Sequence, residues 1–261
     1  MTKNTQYHDF AVKLAYQAGD IMLKYFQIGI AKEVKKDHTP LTIADTAINQ
    51  MVIDAVKKTY PDHAIQGEED SYLKDHVEYI WSCDPIDGTI PYTFGVPTSL
   101  FSLALLKNGE PILGVLYDPY MKRLYHAIKG EGAFLNDTRI TVNSEKTFAH
   151  HYFGFPTYPT TMLNQQALFD VFIKKQVKML EYLSITYMST LVATGQWIGT
   201  LFQFTKPYDI AAVKVIVEEA GGKVTNLRGE EQRYDQPIFG AIISNAVIHA
   251  KLVKLVKKHL A

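Results

Sequence analysis

Two aspartates three residues apart, in Asp84-Pro85-Ile86-Asp87-Gly88-Thr89, follow a run that reads as a strand, Val77 to Cys83. Spacing alone arises by chance, so the setting decides. Pro85 and Gly88 predict a tight turn at the carboxyl end of the strand, which lets both carboxylates converge on one point. Oxygen ligands of this kind suit Mg²⁺. A second acidic group, Gly67-Glu68-Glu69-Asp70, follows another strand-like run, His63 to Gln66. Strand ends are where open sheets place ligand sites, although a solvated turn reads equally well. A third carboxylate, Asp209, falls in the first turn of a predicted helix from Tyr208 to Ala220. The helix dipole favours a carboxylate there, and a simple cap is the plainer reading of Asp209 taken alone.

The elements that must position these groups are legible in outline. Apolar residues at Phe10, Leu14, Ala18, Ile21, Met22 and Tyr25 recur with helical period, predicting a helix from His8 to Phe26. A charged, mobile loop is expected from Gln27 to Pro40, carrying Lys32, Glu33, Lys35 and Lys36, either as a lid over the site or as plain surface. A second helix runs from about Asp45 to Tyr60, stopped by Pro61-Asp62. Strands follow at Ser99 to Leu106, Ile112 to Tyr117 and Leu124 to Ile128, the first two joined by the turn Lys107 to Pro111. That hairpin disfavours an all-parallel sheet. The second half reads as helices Leu163 to Lys175, Thr190 to Phe204 and Tyr208 to Ala220, a strand Ile238 to Ser244 and a last helix capped by Asn245. Thr138 to Thr161 is the natural seam, dividing residues 1–145 from 146–261.

With 27 basic and 27 acidic residues in 261, the chain has no net charge, which argues against a nucleic-acid binder acting by phosphate neutralisation. Its apolar runs are strand-sized and its start, Met1-Thr2-Lys3-Asn4, is polar, so neither a membrane span nor a secretory signal is expected. The lone cysteine, Cys83, allows no internal disulfide and points to a reducing cytoplasm; before Asp84 it reads as a small buried hydrophobe. Gly130-Glu131-Gly132 reads as a turn, and His150-His151 as part of the seam or a dimer interface.

Taken in order, Gly67-Glu68-Glu69, Asp84 to Thr89 and Tyr208-Asp209-Ile210-Ala211-Ala212 resemble the inositol monophosphatase family of Mg²⁺-dependent, lithium-sensitive phosphomonoesterases, over nearly the whole chain. The resemblance implies a layered α-β-α-β-α sandwich, with a mixed, antiparallel-rich N-terminal sheet and a smaller C-terminal one, the site between the halves and a homodimer in solution. It implies that Glu68, Asp84 and the Ile86 carbonyl hold a first Mg²⁺, that Asp84, Asp87 and Asp209 hold a second, and that a third leans on Glu68. Thr39 to Asp45 resembles the family segment whose aspartate bonds the DGT threonine, making Asp45 and Thr89, with Glu68, the groups that orient and activate water. Asp87, Gly88, Thr89, Ser184 and Asp209 would meet the phosphate. Five carboxylates in one pocket would repel a phosphate dianion unless cations intervene, and two Mg²⁺ ions roughly 3.5–4 Å apart supply that compensation for in-line attack by water without a phosphoenzyme.

The pattern also departs from the family. Ile90-Pro91-Tyr92 follows DGT where Asn-Phe is usual, Tyr208 replaces Trp, Leu183-Ser184-Ile185 replaces Gly-Ser-Ala, and Phe202 stands where an acid normally accepts inositol hydroxyls. A polyol site discriminates strongly only while such partners exist, so broader tolerance is expected. An adenine-bearing monoester such as NADP⁺ and its 2′-phosphate, another nucleotide, or fructose 1,6-bisphosphate is the alternative substrate. Tyr92, Tyr187 and Phe202 are either stacking faces for such a ligand or ordinary core. The non-enzymatic alternative is an idle relative that binds metal or phosphoesters and acts through protein partners.

Overall fold

A computed structural model describes residues 3–35, 40–157 and 162–260. In chain order the elements are α1 (Lys3–Tyr25), β1 (Lys32–Val34), β2 (Pro40–Thr42), α2 (Ile43–Thr59), β3 (Ala64–Gly67), β4 (Tyr79–Asp87) and α3 (Thr89–Thr93). Then come β5 (Leu100–Lys107), β6 (Glu110–Asp118), β7 (Arg123–Ile128), β8 (Gly132–Leu135), β9 (Thr138–Arg139) and β10 (Tyr152–Gly154). The remainder comprises α4 (Gln165–Lys174), β11 (Lys178–Leu180), α5 (Ile185–Ala193), β12 (Gly199–Phe202), α6 (Pro207–Glu219), β13 (Gly222–Thr225), β14 (Ala241–Asn245) and α7 (Ala246–Lys257).

The apolar stripe of α1 and the buried face of α2 cover one side of a seven-stranded sheet of order β3-β4-β5-β6-β7-β8-β9, in which only β3 and β4 run parallel. On its other side lies α6, buried continuously from Ile210 to Val217 because it is sandwiched again by a five-stranded sheet of order β11-β10-β12-β14-β13. α4 and α7 close the outer face of that smaller sheet. The five layers are thus helix, sheet, helix, sheet, helix, as the sequence led us to expect. Close approach sets the central spacing: a Cβ on Gly114 of β6 would come within 2.5 Å of the Ala212 carbonyl of α6. Only glycine permits that contact, and α6 in turn carries Asp209.

Several expectations are corrected. The predicted helix Thr190 to Phe204 is instead the end of α5, a turn, and β12. Gly195, at φ +74°, ends α5 with its N–H on Val192. Pairing with β14 and β10 then holds Gly199 to Phe202 extended, with Gly199 so close to Ile243 that a Cβ would lie 2.9 Å from its carbonyl. β4 does not stop at Cys83 but runs through Asp87, with Pro85 at a register irregularity between Asp84 and Asp87 where the missing N–H does no harm. The turn falls at Gly88, φ +87°. Part of the expected Gln27 to Pro40 loop is the antiparallel ribbon β1-β2; Lys36 and Thr39 lie outside the described residues, as does Tyr158. Among the described residues no helix is long and apolar enough to cross a membrane.

Candidate active site

A cavity of about 600 Å³ opens between the two sheets, lined by Glu68, Asp84, Asp87 and Asp209 together with the turn Gly88-Thr89-Ile90. Each acidic group arrives by a different local device. Glu68 follows β3, its N–H donating to the Cys83 carbonyl at 3.1 Å, which ties it to β4. Asp84 and Asp87 come from the irregularity in β4, where the Ile86 N–H donates to Asp84 Oδ1 at 3.0 Å. Asp209 sits at the third position of α6 and accepts from the Lys206 N–H at 2.6 Å through Oδ2. Asp45 does the same for α2, accepting from the Thr42 N–H at 2.8 Å and the Thr42 hydroxyl at 2.5 Å. Both helices therefore use one carboxylate oxygen to cap their first turn, and at α2 the cap is reciprocal, because Thr42 Oγ1 accepts from the Ala44 and Asp45 N–H groups in return. For Asp45 the other oxygen, Oδ1, accepts from Thr89 Oγ1 at 3.4 Å.

The Thr89 hydroxyl also donates to the Ile86 carbonyl at 3.0 Å, so one proton is shared between two acceptors. Asp87 is met by the start of α5: Ser184 Oγ at 2.5 Å, Thr186 Oγ1 at 2.6 Å, Thr186 N at 2.7 Å and Ile185 N at 3.3 Å. Thr186 was not foreseen from the sequence; the Ser-x-Thr run at a helix start was the available sign. The family's glycine at position 183 finds its reason here, because Leu183 adopts φ +55°, a left-handed conformation that favours glycine. Gly88 is equally constrained: a Cβ on it would lie 2.9 Å from Ser184 Cβ.

The electrostatics are those of crowded like charges. Burial, then repulsion from Glu68, Asp87 and Asp209, holds the Asp84 carboxyl well above the usual carboxylate range. Asp209 is pushed up by burial and by Asp87 and Glu68, against the Lys206 N–H. Burial raises Asp87, opposed by the hydroxyls of Ser184 and Thr186. Burial also raises Asp45, to about 6, against its bonds to Thr42. Among the described residues two cations answer this charge: Lys206, which lines the cavity and whose charge favours the Asp209 carboxylate, and Lys35. Lys35 Nζ lies 2.8 Å from Glu68 Oε1 and 2.6 Å from Glu69 Oε1. Burial would lower its pKa, but the two carboxylates win and hold the ammonium protonated. Glu69 is nevertheless raised to about 7, burial outweighing the bond from Lys35. The sequence marked Lys35 as part of a loop; nothing in it announced that contact.

Among the described residues no three His, Cys, Asp or Glu side chains are already drawn together at metal-binding distances. The acidic groups line one cavity but hold other partners: Glu68 has Lys35, Asp87 has the α5 start, and Asp209 has the Lys206 N–H. The donor set is all oxygen and mutually repelling, which fits a hard divalent cation. His150 and His151 are remote from it, with His151 Nε2 3.2 Å from Glu145. Tyr92 is core, its hydroxyl donating to the Met22 carbonyl at 2.8 Å. Tyr187 packs edge-on to Tyr182, outside the cavity lining, whereas Phe202 does line the cavity. A separate surface groove of about 790 Å³ beside Lys214 and Arg233 has its charges paired internally, Lys214 with Glu218 and Glu231 and Arg233 with Asp235. The acidic cavity is the one where like charges crowd.

The model of the inositol monophosphatase family matches residues 3–261. The chain belongs to that family. Among its relatives, a Thermotoga maritima protein named fructose-1,6-bisphosphatase/inositol-1-monophosphatase is 32% identical over 257 residues, covering 96% of this chain and 95% of the relative. A Neisseria meningitidis relative, a putative Nus factor SuhB, is 34% identical over 260 residues, covering 96% and 97%. A solved Thermotoga maritima IMPase superposes with a TM-score of 0.87 at 30% identity, with 96% of each chain covered. Membership in the inositol monophosphatase family makes the chain a phosphomonoesterase.

Proposed function

We propose that this family member hydrolyses small phosphate monoesters with Mg²⁺, inositol 1-phosphate being the first substrate to test, by direct attack of water. The observation that carries the reading is the shared cavity of Glu68, Asp84, Asp87 and Asp209 beside the first turn of α3. Glu68, Asp84, the Ile86 carbonyl, Asp87 and Asp209 would hold two or three Mg²⁺ ions. Bound Mg²⁺ would supply charge compensation for the phosphate and a water nucleophile usable at neutral pH.

The chain's own part is orientation. Thr89 Oγ1 gives its proton toward Ile86 O and Asp45 Oδ1, which leaves its lone pairs to accept from a water and turn that water's own lone pair toward phosphorus. Asp45 stands behind Thr89 to take up proton density, and Glu68 lines the same cavity as Thr89. The Thr89 and Ile90 N–H groups that open α3 have no acceptor within their helix and would donate to the phosphate oxygens. The Ser184 hydroxyl, now on Asp87, is within the same cavity and joins them.

A second reading, fructose 1,6-bisphosphate or another sugar or nucleotide monoester as substrate, is favoured by Phe202 in the cavity wall and by the double name of the Thermotoga relative. The test is phosphate release with and without Mg²⁺ from inositol 1-phosphate, fructose 1,6-bisphosphate, NADP⁺ and adenosine 3′,5′-bisphosphate, each repeated with lithium. Mg²⁺-dependent, lithium-inhibited release from one of them is expected. No release from any would leave the protein-partner role as the surviving account.

A further inference from the structure

Asp87 links the two sheets. It ends β4 in the seven-stranded sheet, and its partners open α5, which packs on α6 and on β12 and β14 of the smaller sheet. Its two oxygens are treated differently. Oδ2 accepts three bonds, from Ser184 Oγ at 2.5 Å, Thr186 Oγ1 at 2.6 Å and Thr186 N at 2.7 Å. Among the described residues Oδ1 accepts only the Ile185 N–H, at 3.3 Å. One oxygen is thus filled with donors while the other keeps lone pairs to give. Thr186 supplies two of the three bonds to Oδ2. It is fully buried and absent from the cavity lining, whereas Ser184 belongs to that lining. Any influence of Thr186 on the chemistry must therefore pass through Asp87.

We propose that Thr186 is a positioning residue for the cation: by occupying Asp87 Oδ2 it leaves Oδ1 as the oxygen offered to Mg²⁺, and so sets Mg²⁺ affinity without touching metal or substrate. The inference rests on the Mg²⁺-dependent reading above. A carboxylate free to rotate offers either oxygen and loses that freedom when a cation binds; one already fixed by outer hydrogen bonds has lost it beforehand. The N–H and the hydroxyl of one residue grip the same oxygen, and the β-branched side chain of Thr186 has few rotamers in which to let go. Ser184 is a poorer anchor, because its Oγ has a second task, accepting from the Tyr187 N–H at 3.1 Å as the cap of α5. Without the Thr186 hydroxyl, hydrocarbon would face a buried anionic oxygen, which then gains by turning elsewhere.

The test measures Mg²⁺ binding by calorimetry, and phosphate release across a Mg²⁺ series, for wild type, Thr186→Val, Thr186→Ala and Thr186→Ser. Thr190→Val is the control: it removes a hydroxyl from the same helix, one that donates to the Tyr187 carbonyl and not to Asp87. Thr186→Val and Thr186→Ala are expected to weaken Mg²⁺ binding by about 10- to 100-fold and to raise the half-saturating Mg²⁺ concentration in step. At saturating Mg²⁺ the substrate KM should stay within about twofold of wild type. Thr186→Ser, which keeps the hydroxyl, and Thr190→Val should both bind Mg²⁺ within about twofold of wild type. Unchanged affinity in Thr186→Val or Thr186→Ala, a Thr186→Ser variant as weak as either, or an equal loss in Thr190→Val would overturn the inference while leaving the phosphatase reading standing. Wild type that binds Mg²⁺ yet releases phosphate from no ester would overturn the phosphatase reading, and the calorimetric comparison would still decide the role of Thr186. Wild type that binds no Mg²⁺ would overturn both.

Discussion

Replacing Lys35 by methionine removes the cation that the structure sets against Glu68 and Glu69 at the acidic cavity, and its consequences can be worked through. Lys35 bridges Glu68 and Glu69 with side chains between 11% and 21% exposed, so both bonds are partly shielded from water. Charge-assisted bonds of this kind contribute about 1.5–3 kcal/mol. In the absence of divalent ions the variant should lose that amount, a fall in Tm of about 3–12 °C for a chain of this size. Adding Mg²⁺ reverses the comparison. A cation reaching Glu68 in wild type must displace Lys35, whereas in the variant Glu68 is free. The same coupling energy then appears as tighter Mg²⁺ binding, with a half-saturating concentration about 10- to 150-fold lower. Thermal melts in chelator and across a Mg²⁺ series, with phosphate release measured over the same series, read both sides of this cycle. A variant that is destabilised in chelator and also needs more Mg²⁺ would refute the reasoning, since Lys35 would then assist the metal rather than stand in for it.

Three further outcomes are expected. Asp87→Asn and Asp209→Asn should each abolish Mg²⁺-dependent turnover with circular dichroism near wild type, because each carboxylate lines the cavity without carrying the core; near-normal turnover in either would remove it from the site. Gly114→Ala should cost about 1–3 kcal/mol, since its methyl would meet the Ala212 backbone, and should lower kcat as α6 and Asp209 shift; urea midpoints and kcat measured together check this. His249, 7% exposed, is bonded to Thr225 at 2.9 Å and Ser244 at 2.8 Å, and burial depresses it from 6.5 to about 4. Its folded pKa is the lower one, so its contribution, about 3 kcal/mol, is present above pH 6.5 and is lost as pH falls toward 4. Stability of His249→Gln should therefore change less than wild type between pH 7 and pH 4 in urea titrations, and parallel titration curves would count against it.

What the sequence revealed and what it concealed follow from range. Asp84, Asp87 and Asp209 could be singled out because their cues are local: a proline and a glycine around two aspartates, and a carboxylate just inside a helix. The five-layer architecture was equally within reach once those segments had a family likeness. The stretch Thr190 to Phe204 misled because its residues satisfy helical periodicity, while the forces that extend Gly199 to Phe202 come from β10 and β14, which flank it from distant parts of the chain. Strands of three or four residues such as β10, β11 and β13 are too short for alternation to show. Lys35 on Glu68 and Thr186 on Asp87 belong to the same class: they depend on what stands opposite, which no spacing encodes.

The two sources of charge around the cavity differ in how firmly they are anchored. Asp84 and Asp87 belong to β4, buried from Trp81 onward in the interior of the seven-stranded sheet. Lys35 follows β1, all three of whose residues are exposed and whose only strand partner among the described residues is β2. Amide exchange in the β4 segment should require opening of the whole sheet, while β1 should exchange through fluctuations that cost almost nothing. Lys35 should therefore be able to leave Glu68 and Glu69 while the strand that aims Asp84 and Asp87 stays closed, so acidic groups can be uncovered without loosening that part of the scaffold.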